Sequence, residues 1–241
     1  MKHSFLSSIL AFVFSTHLVA SDLDRIIPPE IKDDTFYSAI FRIAQTESVH
    51  TILEIGSSSG EGSTEAFVNG ISQNPSRPHL FCMELSRPRF LALKERYKDN
   101  PSVVCYNVSS VPLSAFPREE EVVQFMRTTD TSLRGFTEAE VTGWLRQDIE
   151  YVRSADVPQN GIALIQSAEG IQHFDAVLID GSEFTGQAEL ELTYGAKFIL
   201  LDDIRAFKNY HNFKRLLSDP NYELLEADHN LRNGYAVFRK K

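Results

Sequence analysis

Residues 51–62, Thr-Ile-Leu-Glu-Ile-Gly-Ser-Ser-Ser-Gly-Glu-Gly, restrict what this chain can fold into more than any other stretch. A short apolar run (Ile52, Leu53, Ile55) drives into a turn of glycines and serines. An amphipathic segment then opens at about Ser63 with Ala66, Phe67 and Val68. Strand, glycine-rich turn and helix in that order make the first half-unit of a doubly wound α/β fold. The glycines let the backbone pass close to a ligand, and the first turn of the new helix offers unpaired N–H groups there. Either something polar binds over this turn, or it is an ordinary strand–helix connection.

The remaining chain repeats the unit. Phe36, Ile40, Ile43 and Ala44 recur at helical spacing behind a capping Asp33 or Asp34. After the turn come a helix to about residue 72, a strand at 79–84, a helix at 87–97 and a strand at 102–108. Residues 113–160 break the rhythm with two helical stretches, 119–127 and 137–153, the second opened by the capping box Thr137-Glu-Ala-Glu140. Strands return at 174–180 and 196–203, with helices through Glu189 and at 207–217, and the chain closes on a strand pair at 222–225 and 235–238. The expectation is a doubly wound, seven-stranded, mostly parallel sheet in a single domain over 21–241. A helical insertion between strands 3 and 4 would form a cap near the strand C-termini, where such folds bind ligands. Trp144 in that insertion reads as core. At 241 residues and 42% hydrophobic, the chain is long enough for one sizeable core.

The spacing of the turn selects among ligands. A dinucleotide fingerprint needs G-x-G-x-x-G, and here Gly60-x-Gly62 is followed by Glu65 where the third glycine would stand. What the chain carries is Glu54 on the strand, then Gly56, Gly60 and Gly62. This resembles motif I of the class I, Rossmann-like S-adenosylmethionine-dependent methyltransferases, as does the order of elements. The resemblance implies that the turn, Gly56, Ser58, Gly60 and Gly62, lies against the methionine part of the cofactor, and that Glu54 helps anchor its amino group. Glu84, ending the second strand, can accept both hydroxyls of a ribose, or it is a solvated strand-end charge. Asn107, ending the third strand, could meet an adenine edge. It also opens the sequon Asn107-Val-Ser109, a coincidence at a strand end.

Asp180, Asp202 and Asp203 fall at the C-terminal ends of strands that should be adjacent. Carboxylates brought together there repel unless a cation or a proton separates them. Mg²⁺ suits such an oxygen cluster and would lower the pKa of a hydroxyl about to be methylated. The layout is similar to the metal-dependent O-methyltransferases of the catechol type, which implies Asp180, Asp202 and Asp203 as metal ligands. Two departures stand out. Asp203 is the second member of the pair, and Glu183 occupies the place of that family's catalytic lysine, so Asp180 and Glu183 become the candidate catalytic groups. Without a metal, Asp180 would orient substrate or cap a helix, and the aspartate pair would hold loop amides. Residues 54–64, 179–184 and 201–204 are further similar to FkbM-like bacterial proteins, which implies a glycan acceptor.

Residues 1–20 read as a signal peptide: Lys2 precedes a mostly apolar run from Phe5 to Ala20, small residues offer a cleavage site, and Asp22 and Asp24 follow. The run is short for a membrane span, so no stable span is expected after cleavage. The expected location is exported, with cytoplasmic as the alternative. A net charge of −9 without a basic run argues against nucleic acid as partner and favours a small-molecule or glycan acceptor. Cys82 and Cys105 are too few for a disulfide scaffold. The leading reading is a methyltransferase acting on a hydroxyl. An exported, non-catalytic binding module that keeps the fold is the alternative, because S-adenosylmethionine is a cytosolic metabolite. A sugar-nucleotide enzyme is third, lacking a pyrophosphate fingerprint.

Overall fold

The computed structural model describes residues 22–46 and 48–241; the signal peptide read at 1–20 lies outside them. Five strands run parallel: β1 (Thr51–Ile55), β2 (His79–Glu84), β3 (Val103–Asn107), β4 (Ala176–Ile179) and β5 (Phe198–Asp202). β6 (Tyr222–Asp228) and β7 (Tyr235–Lys240) pair antiparallel, β7 against β5. The order β3-β2-β1-β4-β5-β7-β6 is the seven-stranded sheet expected. It reverses direction between β1 and β4, so loops at their C-terminal ends splay apart and leave a crevice.

Strand alternation divides the core cleanly. Ile52, Leu80, Cys82, Leu178 and Leu200 face α1 (Thr35–Gln45), α2 (Ser63–Gln73) and α3 (Arg87–Arg96). α1 follows the sequence pattern, with Asp34 accepting from the Tyr37 N–H at 2.8 Å and Phe36, Ala39, Ile40, Ile43 and Ala44 buried. The insertion consists of α4 (Glu119–Thr128) and α5 (Glu138–Ser154), which close over a separate cluster of Val122, Phe125, Val141 and Leu145. Its capping box is present, Thr137 N–H donating to Glu140 and Glu140 N–H to Thr137. Trp144, half-buried, packs against that cluster and edge-on against the exposed Phe136.

On the other face, Leu53, Ile55, Met83, Ile179 and Leu201 meet α6 (Gly161–Glu169), α7 (Gly186–Thr193) and α8 (Tyr210–Ser218). Two of these differ from the sequence reading. α6 was not anticipated. It starts at a left-handed Asn160 whose side chain makes no capping bond, so the asparagine does not act there as a conventional N-cap. Its first residue must be glycine, because a Cβ there would stand 2.5 Å from Val108 and 2.6 Å from Met83. The second helix expected at 207–217 begins only at Tyr210. Residues 207–209 instead form a turn pinned to the sheet, since the Asn209 amide donates to Ile179 O at 2.9 Å and Asp202 O at 2.7 Å. Among the described residues no helix is long and apolar enough to cross a membrane.

The α1–α2 contact depends on Gly70, where a Cβ would lie 2.4 Å from Phe41 O and 2.7 Å from Ala44. Gly143 in α5 has open space around it. In urea unfolding, Gly70→Ala is therefore expected to lose about 1–3 kcal/mol to overpacking. Gly143→Ala should gain about 0.5–1 kcal/mol from lost chain entropy. Equal effects, or a stabilised Gly70→Ala, would contradict this packing.

Candidate functional site

The turn after β1 is held in conformations few residues tolerate. Gly56, Gly60 and Gly62 have φ of 92°, 84° and 66°. A Cβ at Gly56 would stand 2.1 Å from Asp180 O, so the turn is pressed against the end of β4. Ser58, at φ 47°, is a left-handed non-glycine. Its N–H donates to Glu84 Oε2 at 2.8 Å, while Ser86 N–H donates to Glu84 Oε1 at 2.6 Å. Glu84 thereby locks the glycine turn to the end of β2. Burial pushes its carboxyl up, against the Ser86 and Ser58 N–H groups and Arg89. α2 begins at Gly62 without a side-chain cap, leaving its first N–H groups open.

These residues wall a cleft of about 400 Å³, within the range of small-molecule sites. Gly56, Ser58, Gly62, Glu84, Asp180 and Asp203 line it. Five other residues singled out in the sequence stand behind the wall. Glu54 is fully buried on the α2 face and accepts from the Thr64 hydroxyl at 2.7 Å, with Oε1 lacking a hydrogen-bond partner. Burial raises its pKa, with nearby hydroxyls pulling the other way. Gly60 faces α3, because a Cβ there would meet Leu93 and Tyr97 at 2.8 Å. The Asn107 amide is used up on Glu84 O and Leu85 O, both at 2.9 Å, so it shapes the β2 turn instead of meeting a base. Glu183 accepts from the Phe207 N–H at 2.7 Å, organising the turn before α8. Asp202 is buried beside Arg232 at 3.4 Å.

Two parts of the site were missed in the sequence. The segment 23–31 supplies Leu23, Ile27, Pro28, Pro29 and Ile31 to the cleft wall. Asp24 accepts from the hydroxyls of Ser86 and of Tyr151 in α5, tying that segment to the insertion. Paired prolines after a presumed leader were the available signal. The second is Lys208. Its Nζ donates to Asp180 Oδ1 at 2.8 Å and Asp203 Oδ2 at 2.7 Å, with only 7% of its side chain exposed. No local signal in the sequence marks it.

Lys208 sets the electrostatics. Burial pulls its ammonium pKa down, but Asp180, Asp203, Asp202 and Glu183 outweigh that and hold it well above the ordinary value. Burial also pushes the Asp203 carboxyl up, but Lys208 and Asn233 more than offset this and leave it lowered. Asp180 is held well above the usual range by burial and its aspartate neighbours, and Asp202 is pushed up to about 6 by burial and Asp203. The three aspartates can bring one oxygen each within 4.8 Å of one another. As arranged, however, these oxygens do not fit Mg²⁺, which demands a near-octahedral oxygen shell. Asp180 and Asp203 are bridged by an ammonium, and the other Asp203 oxygen accepts from the Asn233 amide at 3.0 Å.

No family model and no curated protein matches the chain. Solved structures do. An O-methyltransferase from Bacillus cereus in complex with SAH superimposes with a TM-score of 0.54 at 14% identity, over 89% of this chain and 84% of that one. Cofactor-bound Rv0187 from MTB gives 0.50 at 14% identity, over 93% and 92%. The chain has the Rossmann-like fold of class I methyltransferases. At such identity the likeness is one of fold, and the chemistry rests on the residues just described.

Burial, opposed by Lys208, pushes the Glu183 carboxyl up to about 7 from 4.5. Between those values the native state binds a proton that the unfolded chain has released, so this group's stabilising contribution is lost as pH rises through about 7. Glu183→Gln can still accept from Phe207 N–H and carries no such dependence. Urea titrations across this range should show the wild type losing stability relative to the variant as pH rises, then running parallel to it. A constant difference would place the Glu183 pKa at its ordinary value.

Proposed function

We propose that the protein is an S-adenosylmethionine-dependent methyltransferase that methylates a hydroxyl of a small molecule or glycan. One observation carries this reading: the glycine turn, a ribose-competent carboxylate and a buried acid–lysine cluster line the same cleft. The residues fit the cofactor. Gly56 and Gly62 put bare backbone on the cleft wall and α2 opens there without a side-chain cap, and Glu84 lines the cleft with acceptor capacity left after accepting from Ser58 and Ser86. Gly56, Ser58, Gly62 and Glu84 would hold it, with Glu54 supporting the turn from below.

When bound, S-adenosylmethionine supplies a sulfonium methyl, which an acceptor oxygen takes up while the electron pair of the broken S–C bond stays on sulfur. The protein has to align that oxygen, keep water out and take the hydroxyl proton. Alignment falls to the insertion, whose Asp148 and Tyr151 line the same cleft as Asp180. The proton has a destination at Asp180 Oδ2, the oxygen left over when Oδ1 accepts from Lys208. A carboxyl held above the usual range is a stronger base than an ordinary aspartate. Glu183, spent on backbone N–H groups, is not needed for this step. Similarity of residues 54–64, 179–184 and 201–204 to FkbM-like proteins supports a glycan acceptor, and residues 1–20 support export; both belong to the proposal.

Calorimetric titration of S-adenosylmethionine and S-adenosylhomocysteine into the protein tests it. Micromolar binding is expected. Loss of the Glu84 carboxylate should weaken it by about 1.5–3 kcal/mol, at least tenfold, as for hydrogen bonds to a charged group. Asn107→Ala, behind the wall, should change affinity little while lowering thermal stability. Absence of binding to folded wild type, or equal affinity in folded Glu84→Ala, would sink the reading.

A further inference from the structure

We infer that Lys208 is the resident counter-cation of the acidic sheet edge, a positioning residue that holds Asp180 and Asp203 toward the cleft where a divalent ion would otherwise be required. Only the use to which that edge is put rests on the methyltransferase reading. The geometry of the cation stands apart from it.

Three features support the inference. The ammonium reaches both carboxylates at hydrogen-bond distance, 2.8 Å and 2.7 Å, so it occupies the space between them. Its backbone is clamped from two sides. A Cβ at Gly186 would stand 2.1 Å from Lys208 O, and neighbouring Asn209 is tied to the ends of β4 and β5. The long side chain therefore starts from a fixed point, which is what preorganised charge needs. Finally, the third aspartate has its own cation. Arg232 contacts Asp202 at 3.4 Å and also pairs with Asp34 on the outer side, so each acid of the cluster faces a side-chain cation. Asp203 itself sits at φ 56°, a left-handed conformation that turns its two oxygens to Lys208 and Asn233.

Removing the lysine charge should convert the cluster into what it resembles, three carboxylates close enough to chelate. The test is Mn²⁺ binding by electron paramagnetic resonance and calorimetry on the full chain, wild type against Lys208→Gln and Lys208→Arg. Each variant is checked for native near-UV circular dichroism. Wild type should bind no Mn²⁺ stoichiometrically below millimolar concentration. Lys208→Gln should gain one site at least tenfold tighter, and Lys208→Arg, with the charge restored, should not. Should Lys208→Gln fail to fold, the thermal midpoint of wild type with and without millimolar Mn²⁺ decides, because a ligand of the native state raises it. No rise is expected. Stoichiometric wild-type binding that Asp203→Asn abolishes, a midpoint raised by Mn²⁺, or a folded Lys208→Gln without metal affinity would each overturn the inference. Titrating S-adenosylmethionine in parallel separates the two proposals. Wild type that binds neither cofactor nor Mn²⁺, with metal affinity gained in Lys208→Gln, would retain the counter-cation and discard the methyltransferase.

Discussion

A carboxylate taken out of water is stable only where something answers its charge, and this protein places a series of them at the carboxyl edge of its sheet. The answers differ by position. Glu54 and Glu189, deepest in the core, are met by hydroxyls, those of Thr64 for the first and of Ser110 and Thr185 for the second. Glu84 and Glu183 are met by backbone N–H groups, and in accepting them they fix the two turns that shape the cleft. Asp180, Asp202 and Asp203 are met by Lys208 and Arg232. Turn geometry, the late start of α8 and the placement of the cleft all follow from how these charges are satisfied.

This division explains what could be read in the sequence. Strands were legible because their apolar residues alternate between two helical layers, as Ile52 and Leu53 do. The capping box of α5 and the acid–glycine spacing of residues 54–62 are local signals, and local geometry keeps them. The position of Glu84 on the cleft wall was legible because it follows from ending a strand; its bonds to the Ser58 and Ser86 N–H groups were not. The resemblance to motif I put Glu54 and Gly60 at the cofactor, and its strand-end position put Asn107 there. In the structure none of the three lines the cleft, and each has a packing reason: strand parity, the face of α3, and two carbonyls at the β2 turn. Lys208 was invisible because its contact crosses from the α8 turn to two strands, and nothing in its neighbours marks it. The same holds for segment 23–31, whose role exists only once Asp24 meets Ser86 and Tyr151.

A side-chain cation makes a different site from a metal. It cannot dissociate, so the acidic edge stays neutralised whatever the ionic composition around it. It also offers less. An ammonium has three N–H donors, and two are committed to Asp180 and Asp203, whereas a hexacoordinate ion held by three carboxylates keeps several open positions for ligand oxygens. A bound acceptor must therefore find most of its contacts elsewhere. The cleft provides them in sequence-distant pieces: Ser182, which donates to Asp148 of the insertion at 2.5 Å, Tyr151, and the apolar wall of Leu23, Ile27 and Pro28. With the Lys208 charge spent on Asp180 and Asp203, the cleft presents carboxyl acceptors at Glu84 and at Asp180 alike, which favours ligands that carry hydroxyl donors.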